Sequence, residues 1–282
     1  MTKRKISIFL NEQNRSVPED ITAGELRDKE KPGADILVIN GFPAGEDSIL
    51  REGDQVVFIR RGETPKKEEL EALMVARHTP GVHKRMKKAT VGIAGLGGLG
   101  SAVAIALARI GIGTLVLVDF DIVDPSNLNR QHFFIDQIGK AKTEAMREIL
   151  ASINPYVKVI THRVELNRMN IPQLFKVADV IIECFDRAEE KAMILETAAE
   201  LLPDTFIIGA SGLAGYGDSN SIKTWRITGK MYLIGDLEKA AEPGRGLMAP
   251  RVGIAAHHQA NLAVSLLIDP ERTQARTPDI LE

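Results

Sequence analysis

Apolar and polar positions change period several times along the chain, and each change predicts an element. Lys5–Leu10 (KISIFL) alternates as a strand does. With Arg15–Val17 it predicts a short hairpin around Asn11–Asn14. Thr22–Lys29 reads as a short helix stopped by Pro32-Gly33. Ile36–Ile39 (ILVI) is an apolar run ended by Asn40-Gly41, and Gln55–Ile59 (QVVFI) follows the Gly53-Asp54 turn. Lys66–Arg77 carries Leu70, Leu73 and Met74 at helical spacing and breaks at His78-Thr79-Pro80-Gly81.

From residue 90 strands and helices alternate. Strands are expected at Thr90–Ala94, Thr114–Asp119, Val157–Ile160, Val180–Cys184 and Phe206–Ser211. Helices are expected at Gly98–Ile110, Lys140–Ser152, Arg187–Leu201 and Ala255–Leu267. Ser221–Ile227 and Lys230–Ile234 read as a polar-alternating pair. This alternation predicts an α/β, Rossmann-like, mostly parallel sheet with helices on both faces. The order before it suits a small β-grasp, ubiquitin-like domain, which at about 60 residues is near the lower limit for an independent core. The expected organisation is a β-grasp domain at 1–64, a linker helix region at 65–89 and a nucleotide-binding domain at 90–282.

Composition changes this picture little. The 282 residues are 44% hydrophobic and 26% charged, as in an ordinary globular protein, with a net charge of −2. That balance gives no global signal for nucleic acid or for an anionic membrane, and neither is expected as a partner. Ala89–Ala108 is uncharged and long enough to span a bilayer. Its glycines and the β-rich run after Arg109 fit a buried strand and helix better. The basic N-terminus is followed at once by polar residues and lacks a signal peptide's apolar core. The single cysteine, Cys184, permits no internal disulfide and no Cys-x-x-Cys zinc site. A cytoplasmic protein without zinc is expected.

Candidate chemistry begins at Gly95-Leu96-Gly97-Gly98-Leu99-Gly100, between a β run and an apolar helix. One glycine permits the tight turn, one lets the backbone approach phosphates, and one lets the helix sit close to the strand. The helix N-terminus adds unpaired N–H groups. Asp119 ends the next strand, where a carboxylate can hold ribose hydroxyls. At this point a redox dinucleotide and ATP both fit.

The following segment favours ATP. It contains Asp121, Asp124, Asn127, Arg130 and Gln131, then Lys140 and Lys142. A redox site has little use for cations beside its ribose carboxylate. A carboxylate attacking the α-phosphate of ATP needs them, to offset the repulsion and the charge developing on pyrophosphate. Arg130 offers a planar fork and Lys142 a compact charge. Asp186, at the end of a strand, is placed to hold Mg²⁺. Asp121 and Gln131 join the nucleotide-binding set.

These motifs carry a resemblance. GLGGLG, LVDFD, SNLNRQ, IGKAK, ECFD and GLMAPRVGIAAHHQAN resemble the ThiF/MoeB/HesA family, bacterial relatives of ubiquitin-activating enzymes, over roughly residues 75–268. The likeness is greatest to the ThiF type. It implies adenylation, with ATP and Mg²⁺, of the C-terminal glycine of a small ubiquitin-like sulfur carrier ending in Gly-Gly, in thiamine biosynthesis. It implies Gly98 at the phosphates, Asp119 on the ribose, Asn127, Arg130 and Lys142 on the triphosphate, and Asp186 on Mg²⁺. It further implies a homodimer in which Arg77 or Arg85 reaches the partner's site. The first 60 residues resemble the ThiS/MoaD carriers, notably in INGFPAGEDSILREGDQVVFIRRG. Here Arg61-Gly62-Glu63 runs on where a carrier ends in a free Gly-Gly carboxylate. The family's zinc cysteines are absent, and so is a crossover-loop cysteine around Tyr216–Ser221. Adenylation without a later thioester or persulfide step on this chain is therefore expected.

Other residues receive blander readings. Cys184 lies in an apolar strand and reads as packing. Adjacent His257-His258 point apart on a helix. Lys84–Lys88 reads as a solvated basic face, Arg251 as a packing residue at a helix start, and Met248 as core. Three rival functions stand beside the leading one: adenylation of a tRNA-borne carboxylate, non-catalytic carrier binding, and NAD-dependent redox chemistry.

Overall fold

The computed structural model describes residues 4–11, 13–63, 66, 67, 70, 74, 81–238 and 246–280. The chain divides into two compact units, Met1–His83 and Lys84–Glu282. The helix expected at Lys66–Arg77 lies largely outside the described residues, as does Arg77.

In the first unit β1 (Lys5–Leu10) and β2 (Gln13–Pro18) form the expected antiparallel hairpin. Helix α1 (Ala23–Glu30) begins at a capping box, in which Thr22 accepts from the Glu25 N–H and the Glu25 side chain accepts from the Thr22 N–H. Strands β3 (Ile36–Ile39) and β5 (Gln55–Ile59) match the expected runs, and a two-residue β4 (Phe42–Pro43) is added. The sheet order is β2-β1-β5-β3-β4, with β1 parallel to β5. Ile8, Leu10, Leu26, Leu37, Leu50, Val56 and Phe58 fill one core. The residues that follow β5, Arg60–Glu63, form a turn. Arg61 donates its backbone N–H to Asp35 at 3.0 Å, and Arg60 pairs with Glu63 at 3.0 Å.

The second unit contains α2 (Val82–Met86, shared with the boundary), β6 (Thr90–Ala94), α3 (Gly98–Arg109), β7 (Thr114–Val118), α4 (Lys142–Ile153), β8 (Lys158–His162), α5 (Ile171–Phe175), β9 (Val180–Glu183), α6 (Ala188–Leu201), β10 (Phe206–Ala210), β11 (Lys223–Thr228), β12 (Met231–Gly235), α7 (Ala249–Ile268) and α8 (Pro270–Arg276). The seven-stranded order is β11-β12-β10-β9-β6-β7-β8, and only the edge strand β11 runs antiparallel to its neighbour. On one face Val116, Val118, Ile181 and Ile207 pack with Phe175, Ile194 and Ala198 of α5 and α6. On the other, α3 packs against α4 and α7. Gly92 lets Phe175 lie flat on the sheet, since a Cβ there would stand 2.4 Å from its ring.

Short elements were not legible in the periodicity. Helices α5 and α8 span five and seven residues, less than two turns. Helix α4 starts two residues later than expected. Ala141 instead bridges Ile122, and Val123 donates to the Lys140 carbonyl at 2.8 Å. Helix α7 begins at Ala249, with Pro250 in its first turn. Strand order reverses direction at β6, so the carboxyl ends of β6, β7, β9 and β10 open a crevice together.

Candidate nucleotide-binding and active site

That crevice holds a cavity of about 410 Å³, lined by Gly95, Gly97, Gly98, Asp119, Asp121, Arg130, Gln131, Lys142 and Asp186 among others. Nine of the sequence-derived site residues thus meet at one place. Gly100 and Asn127 are outside the lining. Gly100 sits behind it, where a Cβ would fall 1.9 Å from the Gly95 carbonyl oxygen. Gly95 adopts φ +90°, which a side chain rarely tolerates. Gly97 is the N-cap of α3 and no side chain caps that helix. Its first-turn N–H groups therefore face the cavity as an anion cradle. A Cβ on Gly98 would stand 2.9 Å from Val252, so the approach to the cradle is narrow.

Asp119 is the acid of the β7 end. Its two oxygens accept from the Leu96 N–H at 2.6 Å and the Asp121 N–H at 2.8 Å. Burial pushes its carboxyl above the usual range, while Lys142 and the two N–H groups pull the other way. With two acceptor positions used, the carboxylate retains others for ribose hydroxyls. Lys142 opens α4 with its ammonium buried and paired to Asp121 at 2.8 Å. Its backbone N–H donates to the Asp121 carbonyl, so helix and strand end are tied twice. Arg130 is half-buried, donating to the Asn129 side chain at 2.9 Å and weakly to the Ser126 carbonyl. Gln131 is buried, and its Oε1 has no hydrogen-bond partner. Asn127 closes the turn before Arg130 by accepting from the Asp124 N–H at 3.2 Å. Asp124 accepts from Ser126, which holds its carboxyl low.

Asp186 is exposed at the cavity wall beside Glu190. Burial, and the charge of Asp186 among others, raises the Glu190 carboxyl, with Arg187 opposing. A divalent cation suits such a wall, because Mg²⁺ takes one or two carboxylates together with phosphate oxygens. The uncapped cradle, the buried cation Lys142 and the Asp186 wall are thus compatible with a Mg²⁺–triphosphate.

The sequence reading missed the charged floor. Glu183 is fully buried at the end of β9. It accepts from Lys191 at 2.9 and 3.1 Å, from the Phe185 N–H at 2.6 Å and from the Ala210 N–H at 3.2 Å. Burial raises its carboxyl and Lys191 opposes the shift. The only signal was an acid closing an apolar run, VIIE, with a lysine eight residues on. Cys184 is buried with its thiol pushed well above the usual range by burial and by Glu183. It lies 3.9 Å from Gln259, whose amide donates to the Glu183 carbonyl.

Other readings resolve as well. His257 contacts the Gly253 carbonyl, whereas His258 faces Thr224. Arg85 donates to the Ile268 carbonyl at the end of α7. Met248, expected in the core, is half exposed at the N-cap of α7. No helix among the described residues is long and apolar enough to cross a membrane.

A profile of the ThiF family matches residues 71–279. The chain belongs to the ThiF family. A profile named ThiS-like ubiquitin matches residues 6–62, in the unit ahead of the ThiF-family domain. The adenylyltransferase and sulfurtransferase uba4 of Aspergillus terreus is 40% identical over 118 residues, covering 42% of this chain and 24% of that protein. The adenylyltransferase and sulfurtransferase UBA4 of Candida glabrata is 36% identical over 147 residues, covering 51% of this chain and 34% of that protein. The match spans a quarter to a third of the length of these relatives. Escherichia coli tRNA N6-threonylcarbamoyladenosine dehydratase, TcdA, solved in complex with ATP, shares the fold of this ThiF-family chain. Its TM-score is 0.65 at 22% identity, covering 71% of this chain and 94% of that one.

Proposed function

We propose that this chain is an ATP- and Mg²⁺-dependent adenylyltransferase acting on the C-terminal glycine carboxylate of a small ubiquitin-like sulfur carrier. We assign the carrier to the thiamine type and the active form to a homodimer. The observation that carries the reading is one cavity holding an uncapped glycine cradle, Asp119, Arg130, Lys142 and Asp186. Family membership and the adenylyltransferase names of its relatives support it.

In this reading the carrier's carboxylate oxygen attacks the α-phosphorus, forming an acyl–phosphate bond. The bond to the β-phosphate oxygen breaks, and pyrophosphate leaves with that electron pair. The attacking group is ionised at neutral pH, so no general base is needed. The chain supplies alignment and charge neutralisation. The cradle binds phosphate oxygens, Asp119 and Asp121 orient the ribose, Gln131 and Asn127 line or support the phosphate approach, and Arg130 and Lys142 take up charge on the triphosphate. Mg²⁺ held by Asp186 would neutralise phosphate charge. Exposed Phe134, Ile135 and Ile138 form an apolar run, in the connection that also carries Arg130 and Lys142, that suits the dimer contact. The β-grasp unit lacks a free carboxyl tail and acts as a fused accessory domain, joined through residues 65–89.

ATP–pyrophosphate exchange dependent on a Gly-Gly-ended carrier tests the reading. Arg130→Ala should lower that exchange at least about 10²-fold with unchanged thermal unfolding. Full exchange in the variant, or exchange stimulated by tRNA instead of carrier, would sink it.

A further inference from the structure

Arg251 begins α7 in a setting unlike that of a surface arginine. Its side chain is 4% exposed and its partner Asp236 6%, and they meet at 2.6 Å. The same guanidinium donates to the Ser221 hydroxyl at 3.1 Å and the Asp218 carbonyl at 3.2 Å. Two charges this deeply buried are costly unless held in a network, and here the two terminal guanidinium nitrogens carry it while the buried Nε has no hydrogen-bond partner among the described residues. Their location shows what the network holds. Asp236 follows β12 and Arg251 opens α7, so the pair joins two points 15 residues apart in the chain.

Around Asp236 the backbone is tightly constrained. Gly212 has φ +73°, and a Cβ there would stand 2.2 Å from Asp236 Oδ1. Asp236 donates its N–H to the Gly212 carbonyl at 3.3 Å, and its Oδ1 accepts from the Glu238 N–H at 3.0 Å. Gly212, Leu213 and Ala214 line the cavity, as do Leu247 and Val252. Val252 is next to Arg251 and faces Gly98 of the cradle. The ion pair thus backs the wall opposite the phosphate-binding turn. The ribose acid Asp119 and the Lys142–Asp121 pair belong to other elements, where Asp119 accepts from the Leu96 and Asp121 N–H groups and Lys142 pairs with Asp121.

We infer that Arg251 and Asp236 are positioning residues that fix the wall along which the attacking carboxylate reaches the α-phosphate, without taking part in nucleotide binding. The inference rests on the adenylation reading for its substrate, but its structural half stands apart from it. An arginine is suited to the task, since its planar fork reaches a carboxylate, a hydroxyl and a carbonyl from one fixed position. A misplacement of about 1 Å at such a wall costs up to roughly 10²-fold in rate.

The test compares the full chain with Arg251→Met and Arg251→Lys. The expected result for Arg251→Met is a carrier KM raised roughly tenfold or more, with the ATP Kd from calorimetry within about twofold of the parent. Amide exchange should quicken at 212–214 and stay unchanged at 97–100. Arg251→Lys should recover part of the carrier KM. If Arg251→Met does not fold, Asp236→Leu with Arg251→Met removes both charges and should show the same split. Equal losses in ATP and carrier affinity, or unaltered exchange at 212–214, overturn the proposal. Failure of the parent to adenylate any carrier sinks the adenylation reading instead, and the amide exchange result then judges the wall alone.

Discussion

Lys191→Met is expected to destabilise the second unit by about 3–5 kcal/mol near neutral pH, because it leaves the Glu183 carboxylate buried without its cation. Glu183 is fully buried and takes both of its Lys191 contacts from one ammonium. The loss should depend on pH in a defined direction. Burial raises the folded-state pKa of Glu183 above its ordinary value, so the folded state holds the proton more tightly. Stability from this group therefore falls as pH rises from the unfolded pKa through the folded one. Removing Lys191 takes away a lowering influence and moves that upper limit higher. Urea unfolding of Lys191→Met should show stability recovering as pH is lowered from neutrality toward the carboxylate range, until general acid unfolding intervenes. Adding Glu183→Gln should recover much of the loss at neutral pH, since a neutral amide is cheaper to bury. A Lys191→Met protein as stable as the parent at pH 7 would show that the pair carries no such burden. Local consequences should accompany it. Glu183 holds the Phe185 and Ala210 N–H groups, so the ends of β9 and β10 loosen together and Asp186 loses its fixed place.

Gly100→Ala should be harmful in a position where alanine would normally help. In an ordinary helix interior the change favours the helix by about 1 kcal/mol. Here the new methyl would meet the Gly95 carbonyl oxygen at 1.9 Å and Ile93 at 3.2 Å. The obstacle at Gly95 is backbone, so no rotamer change relieves it. Helix α3 must move away from β6, costing about 1–3 kcal/mol or more. The same movement carries the cradle of Gly97 and Gly98 away from the β6 end. Nucleotide affinity should therefore drop along with stability. Denaturation and ATP titration of one sample measure both, and an Ala variant that binds ATP normally would contradict the close-packing role.

Much of this organisation is legible in the sequence because it is local. The turn from Gly95 to Gly100 lies between two periodic elements, and Asp119 ends the next strand in register. Arg130, Gln131 and Lys142 follow within one connection. Elements of four or more residues with a clean period, such as β3, β5, β6 and α6, fall within a residue or two of their expected limits. What was not legible depends on contacts between distant segments. Glu183 and Lys191 are only eight residues apart but lie on different elements, β9 and α6, so an acid closing an apolar run is the one local sign of the pair. Arg251 reads correctly as a buried packing residue, but its sequence does not point to Asp236. Asn127 illustrates the opposite case. The family resemblance implies a triphosphate ligand, and the structure shows a local task that the resemblance does not mention, the bond from the Asp124 N–H that closes the turn before Arg130. Helices α5 and α8 escaped because fewer than two turns leave no period to find.

Cys184 gives this chain a built-in clock. The sequence contains one cysteine, and it lies buried beneath the glycine turn, next to Glu183. A thiol reagent should reach it only when that part of the sheet opens, so labelling measures the frequency of opening and not surface chemistry. Added ATP should slow the labelling if the nucleotide closes over the same floor. Because no other thiol competes, a cysteine introduced at an exposed position would also report its own environment against a silent background.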